Sequence, residues 1–386
     1  MNPYTAMTLE STLPLALLCV LGTPWTASQV VPAAPSSSVV LTLQDDQESP
    51  IAKWMDIVRD PDVRRSKRGR AGTSLLESGP EAAEVLARYV LSEIPKARKA
   101  AIKAQDKLVA SVETVGTRIV AARLDKSTQA EVEAKRELIL KVAQDGKLSK
   151  ERIVEESDPA LEWLRSTLTA DVREIFDEKP ELIDQHGELR ALLQREIQDR
   201  EFLAEAIRVL NAAGMEQTAS RLEVAGGPAE PLDQMSLALE RAAERAMPMS
   251  KASRSVLEAN AAMAHQVGPL EADGIEYLNS VRLLVGLNAL AIDVKLCDAA
   301  RDHSKDMHEH GFFAHESPVE GKRTFGQRAA NFGTSASAEN IASGQHSGSS
   351  VILAWWHSPG HHKNMLRGAG RTALGRFENM WTQLFG

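Results

Sequence analysis

The chain holds only two cysteines in 386 residues, Cys19 and Cys297. Cys19 falls in an N-terminal apolar stretch that reads as removable. Cys297 would then stand alone, and no intrachain disulfide could staple the fold. It lies in a helical pattern beside Leu296 and Ala300, which suits a small buried hydrophobe better than a reactive thiol. Aromatics are scarce at 4%, and only five of the seventeen occur between 50 and 271. An excess of positive charge is also missing, since the formal net charge is −8. The one basic run, RRSKRGR at 64–70, has no aromatic or groove-reading element with it. It reads as a solvated linker, and nucleic acid is not expected as a partner. Beyond the N-terminus no stretch is long and apolar enough to cross a bilayer, so a mature chain without a transmembrane segment is expected.

What the N-terminus does contain is a targeting pattern. Leu13 to Gly22 (LPLALLCVLG) is apolar, too short to span, and followed by Thr26, Ala27 and Ser28. This predicts a signal peptide over 1–27, starting at Met1 or Met7 and cleaved near Ala27. The mature protein is then exported, to the extracellular space, the periplasm or the cell envelope. Residues 28–50 are rich in Pro, Ser and Ala and predict a disordered linker.

The rest of the chain has room for two domains. From 51 to 270 helix signals dominate. Thr128 with Glu131 has capping-box spacing, Gly146 suits the end of that helix, and Leu189, Leu193 and Ile197 keep a four-residue period. Pro95, Pro159, Pro180, Pro228, Pro231 and Pro248 punctuate the run. Helices of 12–40 residues in a bundle or an extended antiparallel hairpin are expected, serving as a spacer or self-association element. A different pattern begins at 272. It predicts helices over 274–286 and 293–310. A third helix over 351–357 would be capped by Ser349 or Ser350 and ended by Pro359-Gly360. Two strands over 372–377 and 381–385 would flank a turn at Glu378-Asn379-Met380. Alternating helices and short strands predict helices covering an antiparallel sheet.

Nearly all the chemistry-bearing side chains sit in this last part. Eight of the ten histidines lie between His303 and His362. The blocks GFFAHESP (311–318), AENIASG (338–344), WWHSPGHHKNML (355–366) and WTQLFG (381–386) follow in close order. Residues 272–386 carry 11 acidic and 11 basic side chains, so long-range electrostatic steering is not their principle. His303 on a helix face reads as a satisfied core histidine. His308, His310, His346 and His362 read as exposed, and Trp355, Trp356, Trp381, Phe312 and Phe313 as core. Ser317 has no GxSxG context and is not expected to be a nucleophile.

Together with LNSVRLLVGLNAL (278–290) and AIDVKLCDAARDHSKDM (291–307), these blocks resemble, in order, the CAP superfamily of cysteine-rich secretory proteins, antigen 5 and pathogenesis-related 1. The likeness is to its disulfide-free bacterial form. It covers about 275–386, and it implies an α+β fold: a three-layer α-β-α sandwich preceded here by a mostly helical region. It also implies a cleft lined by two histidines and two acids. His315 of AHESP matches the first histidine, Glu339 of AEN the first acid and His361 of SPGH the second histidine, while His357 stands where the second acid is expected. Imidazole nitrogens with one carboxylate suit zinc or another divalent cation, held by His315 and His361. The same groups also suit a hydrogen-bonded network without metal. A non-enzymatic binding module is expected, for a cation, a small ligand, a lipid or a cell-envelope component. The alternative is a metal-assisted hydrolase with Glu339 as base or third ligand. A further alternative is a structural, self-associating envelope protein.

Overall fold

Ser49 opens the described chain as a helix cap: its hydroxyl accepts the Ala52 N–H at 3.2 Å, and Pro50 takes the first position of α1 (Pro50–Arg59). The linker expected up to residue 50 therefore ends two residues earlier at most. The structure, a computed structural model, describes residues 49–227 and 235–386. The expected signal peptide, the body of the linker, Cys19, Pro228 and Pro231 lie outside the described residues.

The basic run at 64–70 is not a solvated linker, because it lies almost wholly within α2 (Arg65–Glu77). Within it Arg68 is 2% exposed. The guanidinium donates to Val58 O at 2.9 Å and Gln198 Oε1 at 2.8 Å, and it pairs with Asp199. A charge can be buried only with partners of this kind. Next comes α3 (Pro80–Arg123), a 44-residue helix that continues past Pro95. Helix α4 (Lys126–Gln144) is capped by Asp125, whose carboxylate accepts the Thr128 N–H at 2.8 Å, so the cap lies before the expected Thr128–Glu131 pair.

The short turn α5 (Lys150–Arg152) passes through a π-helical turn (Ile153–Ser157) into α6 (Asp158–Leu168). Helices α7 (Val172–Glu178), α8 (Glu181–Ala212), α9 (Glu216–Gly226) and α10 (Met235–Glu244) follow. Leu86, Val90 and Ile94 of early α3 share an apolar cluster with Phe202, Ala206 and Leu210 of late α8. Val112 and Val115 of late α3 share another with Leu182 and Leu189 of early α8. The two long helices are thus antiparallel, as expected of a hairpin.

After α11 (Lys251–Met263) the C-terminal part begins with α12 (Pro269–Leu284), β1 (Ala291–Ile292) and α13 (Val294–Glu309). It continues with α14 (Phe325–Asn331), β2 (Ala338–Ser343), α15 (Gly348–Trp356), α16 (Pro359–Met365), β3 (Arg371–Phe377) and β4 (Met380–Phe385). Ser347 caps α15 by accepting the Ser350 N–H at 3.1 Å, so the cap precedes Ser349 and Ser350. Pro359 does not simply stop a helix. It starts α16, where its missing N–H costs nothing. The β3–β4 hairpin pairs Phe377 with Met380 across a turn of Glu378 and Asn379, with Glu378 at φ 52.

Strand order is β1-β3-β4-β2. Two of the pairings are antiparallel, as expected, but the two-residue β1 runs parallel to β3. Successive strand residues face opposite sides. Leu374 meets Gly274 of α12, whereas Gly375 lies against Ala300 and Arg301 of α13. Helices α12 and α13 therefore cover the two faces, which makes the three-layer α-β-α sandwich, and the fold class is α+β with a helical N-terminal region.

Val132, Ile139, Ala143, Ala160 and Leu164 of the α4–α6 segment belong to the same buried cluster as Leu278, Leu284, Trp355, Trp356 and Leu366. The β1 edge is covered as well. The Asn260 amide of α11 donates to Leu290 O at 2.9 Å and accepts the Ile292 N–H at 2.8 Å, satisfying backbone that would otherwise be an open strand edge. Cys297 is fully buried in this core, and burial pushes its thiol up to about 12. Iodoacetamide is expected to label Cys297 only after denaturation, because the thiolate is the nucleophile. Peptide mapping of native and urea-treated protein checks this, and native labelling at the unfolded rate would contradict the burial.

Candidate functional site

Glu339 is the second residue of β2, and its carboxylate is 1% exposed between the sheet and the loop before α14. A buried carboxylate needs partners. Oε1 accepts the His315 Nδ1–H at 2.9 Å, and Oε2 accepts from Arg328 Nη2 at 2.5 Å. Arg328 is itself fully buried and was not singled out from the sequence. It sits on α14, a short helix that Thr324 and Gln327 start with a reciprocal cap. Its other donations go to Lys322 O at 2.8 Å, Arg323 O at 3.2 Å and His315 O at 3.1 Å. The guanidinium therefore anchors the 315–323 loop and supplies the positive charge opposite Glu339.

His303 is a core histidine, as the helix pattern predicted, but it is only half satisfied, since its buried Nδ1 has no hydrogen-bond partner among the described residues. Its Nε2–H donates to Ala314 O at 3.1 Å, and that nitrogen is 4.0 Å from Glu339 Oε1. Burial pushes its pKa down to about 4. His315, by contrast, has a half-exposed ring (54%). With Nδ1–H given to Glu339, Nε2 is the ring nitrogen left open to a ligand. His361 lies half-buried on α16, its ring 6.3 Å from Trp355 and edge-on. Its pKa is lowered first by burial and then by His315.

The structure thus brings His315, Glu339 and His361 into one neighbourhood. His357 is directed elsewhere: its Nε2–H donates to Asp158 Oδ2 at 2.9 Å, and Asp158 comes from α6 of the helical region. The other Asp158 oxygen accepts the Trp356 Nε1–H at 2.7 Å. Asp158, like Arg328, was not legible as a partner of this segment. His362 differs from expectation, being fully buried with Nδ1–H donating to Trp356 O at 2.7 Å and its pKa pushed down to about 4 by burial. Phe313 also differs, since it is 54% exposed. Asn364 ties α16 to the sheet by donating to Glu339 O at 3.2 Å and Asn340 Oδ1 at 2.9 Å, and Asn340 of β2 donates to Gln383 Oε1 of β4 at 2.8 Å.

The donor set does not fit a catalytic zinc. Both Glu339 oxygens are engaged, one by a guanidinium whose fixed charge opposes a second cation. Two imidazoles remain, His315 and His361, where such a site uses three protein ligands. Among the described residues no group of three or more His, Cys, Asp or Glu side chains is arranged to hold a metal ion. Beside the network, Phe312, Ala314, Ser317, Pro318, Val319 and Arg323 help line an open groove of about 650 Å³.

Comparison with known proteins agrees with the block-by-block likeness. The model of the cysteine-rich secretory protein family, CAP, matches residues 275–371. The uncharacterized protein YkwD of Bacillus subtilis (strain 168) is 32% identical over 154 residues, covering 38% of this chain and 59% of that protein. The chain therefore spans about three fifths of this curated relative's length. A crystal structure of an extracellular protein containing an SCP domain from Bacillus anthracis str. Ames is 27% identical, with a TM-score of 0.30, over 36% of this chain and 44% of that one. No helix of the described residues is long and apolar enough to cross a membrane. The part of the chain that carries His315, Glu339 and His361 is a domain of the CAP superfamily, of the bacterial type.

Proposed function

We propose that this CAP domain is the binding module of an exported protein, and that its ligand is an organic cell-envelope component rather than a metal ion. The observation that carries this reading is the double engagement of Glu339 by Arg328 and His315. A carboxylate so engaged is neither a free general base nor an open metal ligand. It fixes the tautomer and direction of an exposed imidazole, which is a recognition role. The adjoining groove mixes apolar residues such as Phe312 and Val319 with Arg323 and Ser317. This suits an extended ligand with alternating polar and apolar groups, such as a peptidoglycan fragment. The hydrolase reading would need Glu339 released from both partners.

Addition of soluble peptidoglycan fragments to the full chain, followed through histidine ring resonances, tests this reading. The His315 signal is expected to shift saturably, and His315→Ala to weaken binding about tenfold, the equivalent of roughly 1.4 kcal/mol. An unmoved His315 signal would overturn the reading, and so would fragments cleaved in a zinc-dependent manner.

A further inference from the structure

We infer that the helical region acts on the histidine-bearing face through one positioning residue, Asp158. This rests on reading the His315–His361 face as the ligand site. Asp158 opens α6 and reaches two consecutive side chains nearly two hundred positions later. Oδ1 accepts the Trp356 Nε1–H at 2.7 Å, and Oδ2 accepts the His357 Nε2–H at 2.9 Å. On its far side Trp356 is held by His362, whose ring centroid is 4.2 Å away and whose Nδ1–H donates to Trp356 O at 2.7 Å. His362 is the chain neighbour of His361 on α16. A continuous set of contacts therefore runs from Asp158 through Trp356 and His362 to the helix that carries His361.

Two further observations single out this junction. The turn immediately before Asp158, Ile153–Ser157, is π-helical, a geometry often found at functional sites. Moreover, both α6 and α4 place apolar residues in the same core as Trp355 and Trp356, so Asp158 is held in place by packing rather than swinging on a loop. A carboxylate that merely fastened α6 to the end of α15 would have a structural role only. That role would not depend on which His357 nitrogen carries a proton.

The test is therefore the ring tautomer of His357, read by long-range proton–nitrogen correlation on the full chain without ligand. In the native protein the proton is expected on Nε2. In Asp158→Asn the side-chain oxygen can still accept from Trp356 while the amide nitrogen donates to His357. The proton should then move to Nδ1, and the His361 and His315 ring signals should shift with it. Asp158→Glu is expected to keep the proton on Nε2. If Asp158→Asn fails to fold, Trp356→Phe leaves the His357 bond alone and interrupts the contact with Trp356. It should retain the His357 tautomer but shift His361.

An unchanged His357 tautomer in Asp158→Asn would overturn the inference. So would His361 and His315 signals that stay fixed while the tautomer changes, or that stay fixed in Trp356→Phe. Because no ligand is present, these outcomes are independent of whether peptidoglycan fragments bind.

Discussion

Replacing Arg328 with alanine is expected to destabilise the protein by about 3–5 kcal/mol, the usual cost of removing one partner from a buried pair. The guanidinium is 0% exposed and the Glu339 carboxylate 1% exposed, so neither is relieved by water. Truncation leaves a buried anion and takes a donor from the loop carbonyls of Lys322 and His315, while Arg323 O keeps the Ser317 N–H at 3.0 Å. Most of the penalty should arise from the stranded carboxylate rather than from lost attraction. The double variant Arg328→Met/Glu339→Met, which removes both charges, should therefore be clearly more stable than Arg328→Ala. Urea unfolding of the two variants measures this. Equal stabilities would mean that Glu339 is solvated when Arg328 is gone.

The second large effect concerns backbone contact. Helices α12 and α15 cross at Gly274 and Gly348. A Cβ on Gly348 would sit 2.1 Å from Leu270 O and 2.3 Å from Gly274 N. Both obstacles are helix backbone, so no side-chain rotation relieves them, and α15 must move away from α12. Gly348→Ala should cost about 3 kcal/mol, the upper end for overpacking. It should also displace the WWH segment that ends α15. Gly360→Ala is the control. A Cβ there meets nothing within 4 Å, and the change should be neutral or stabilising by about 0.5 kcal/mol. Thermal midpoints of the two variants check the pair, and equal midpoints would contradict the close crossing.

Much of the C-terminal part was readable because its signals are local. The apolar period through Leu296, Ala299, Ala300 and Met307 placed α13 within a residue or two, and the Glu378-Asn379-Met380 turn placed the last hairpin, although Met380 already belongs to β4. His315 and Glu339 came together because the ordered blocks imply a fold, not because their 24-residue spacing does. Arg328 was missed since TFGQRAAN carries no pattern tied to chemistry. Its role exists only once α14 points it at β2. Asp158 was missed because its partners, Trp356 and His357, are distant in sequence and joined by packing alone. The serine cap was misplaced because four serines crowd 343–350 and each could accept from the N–H three residues on. Likewise Pro359 can end one helix or begin the next, and only the short connection at His357 and Ser358 decides it.

The helical region bears on any experiment with the isolated C-terminal part. Removing α4, α6 and α11 would uncover Leu284 and Trp356, open the β1 edge held by Asn260, and release His357 from Asp158. The full chain is therefore the proper material for ligand work.

Zinc titration calorimetry on the full chain, alongside its metal content after purification, tests the metal-independent site most directly. No stoichiometric zinc is expected in the purified protein, and no saturable heat at micromolar concentrations. One zinc per chain, lost in His315→Ala/His361→Ala, would contradict this and would mean that Glu339 leaves Arg328 to complete a metal site.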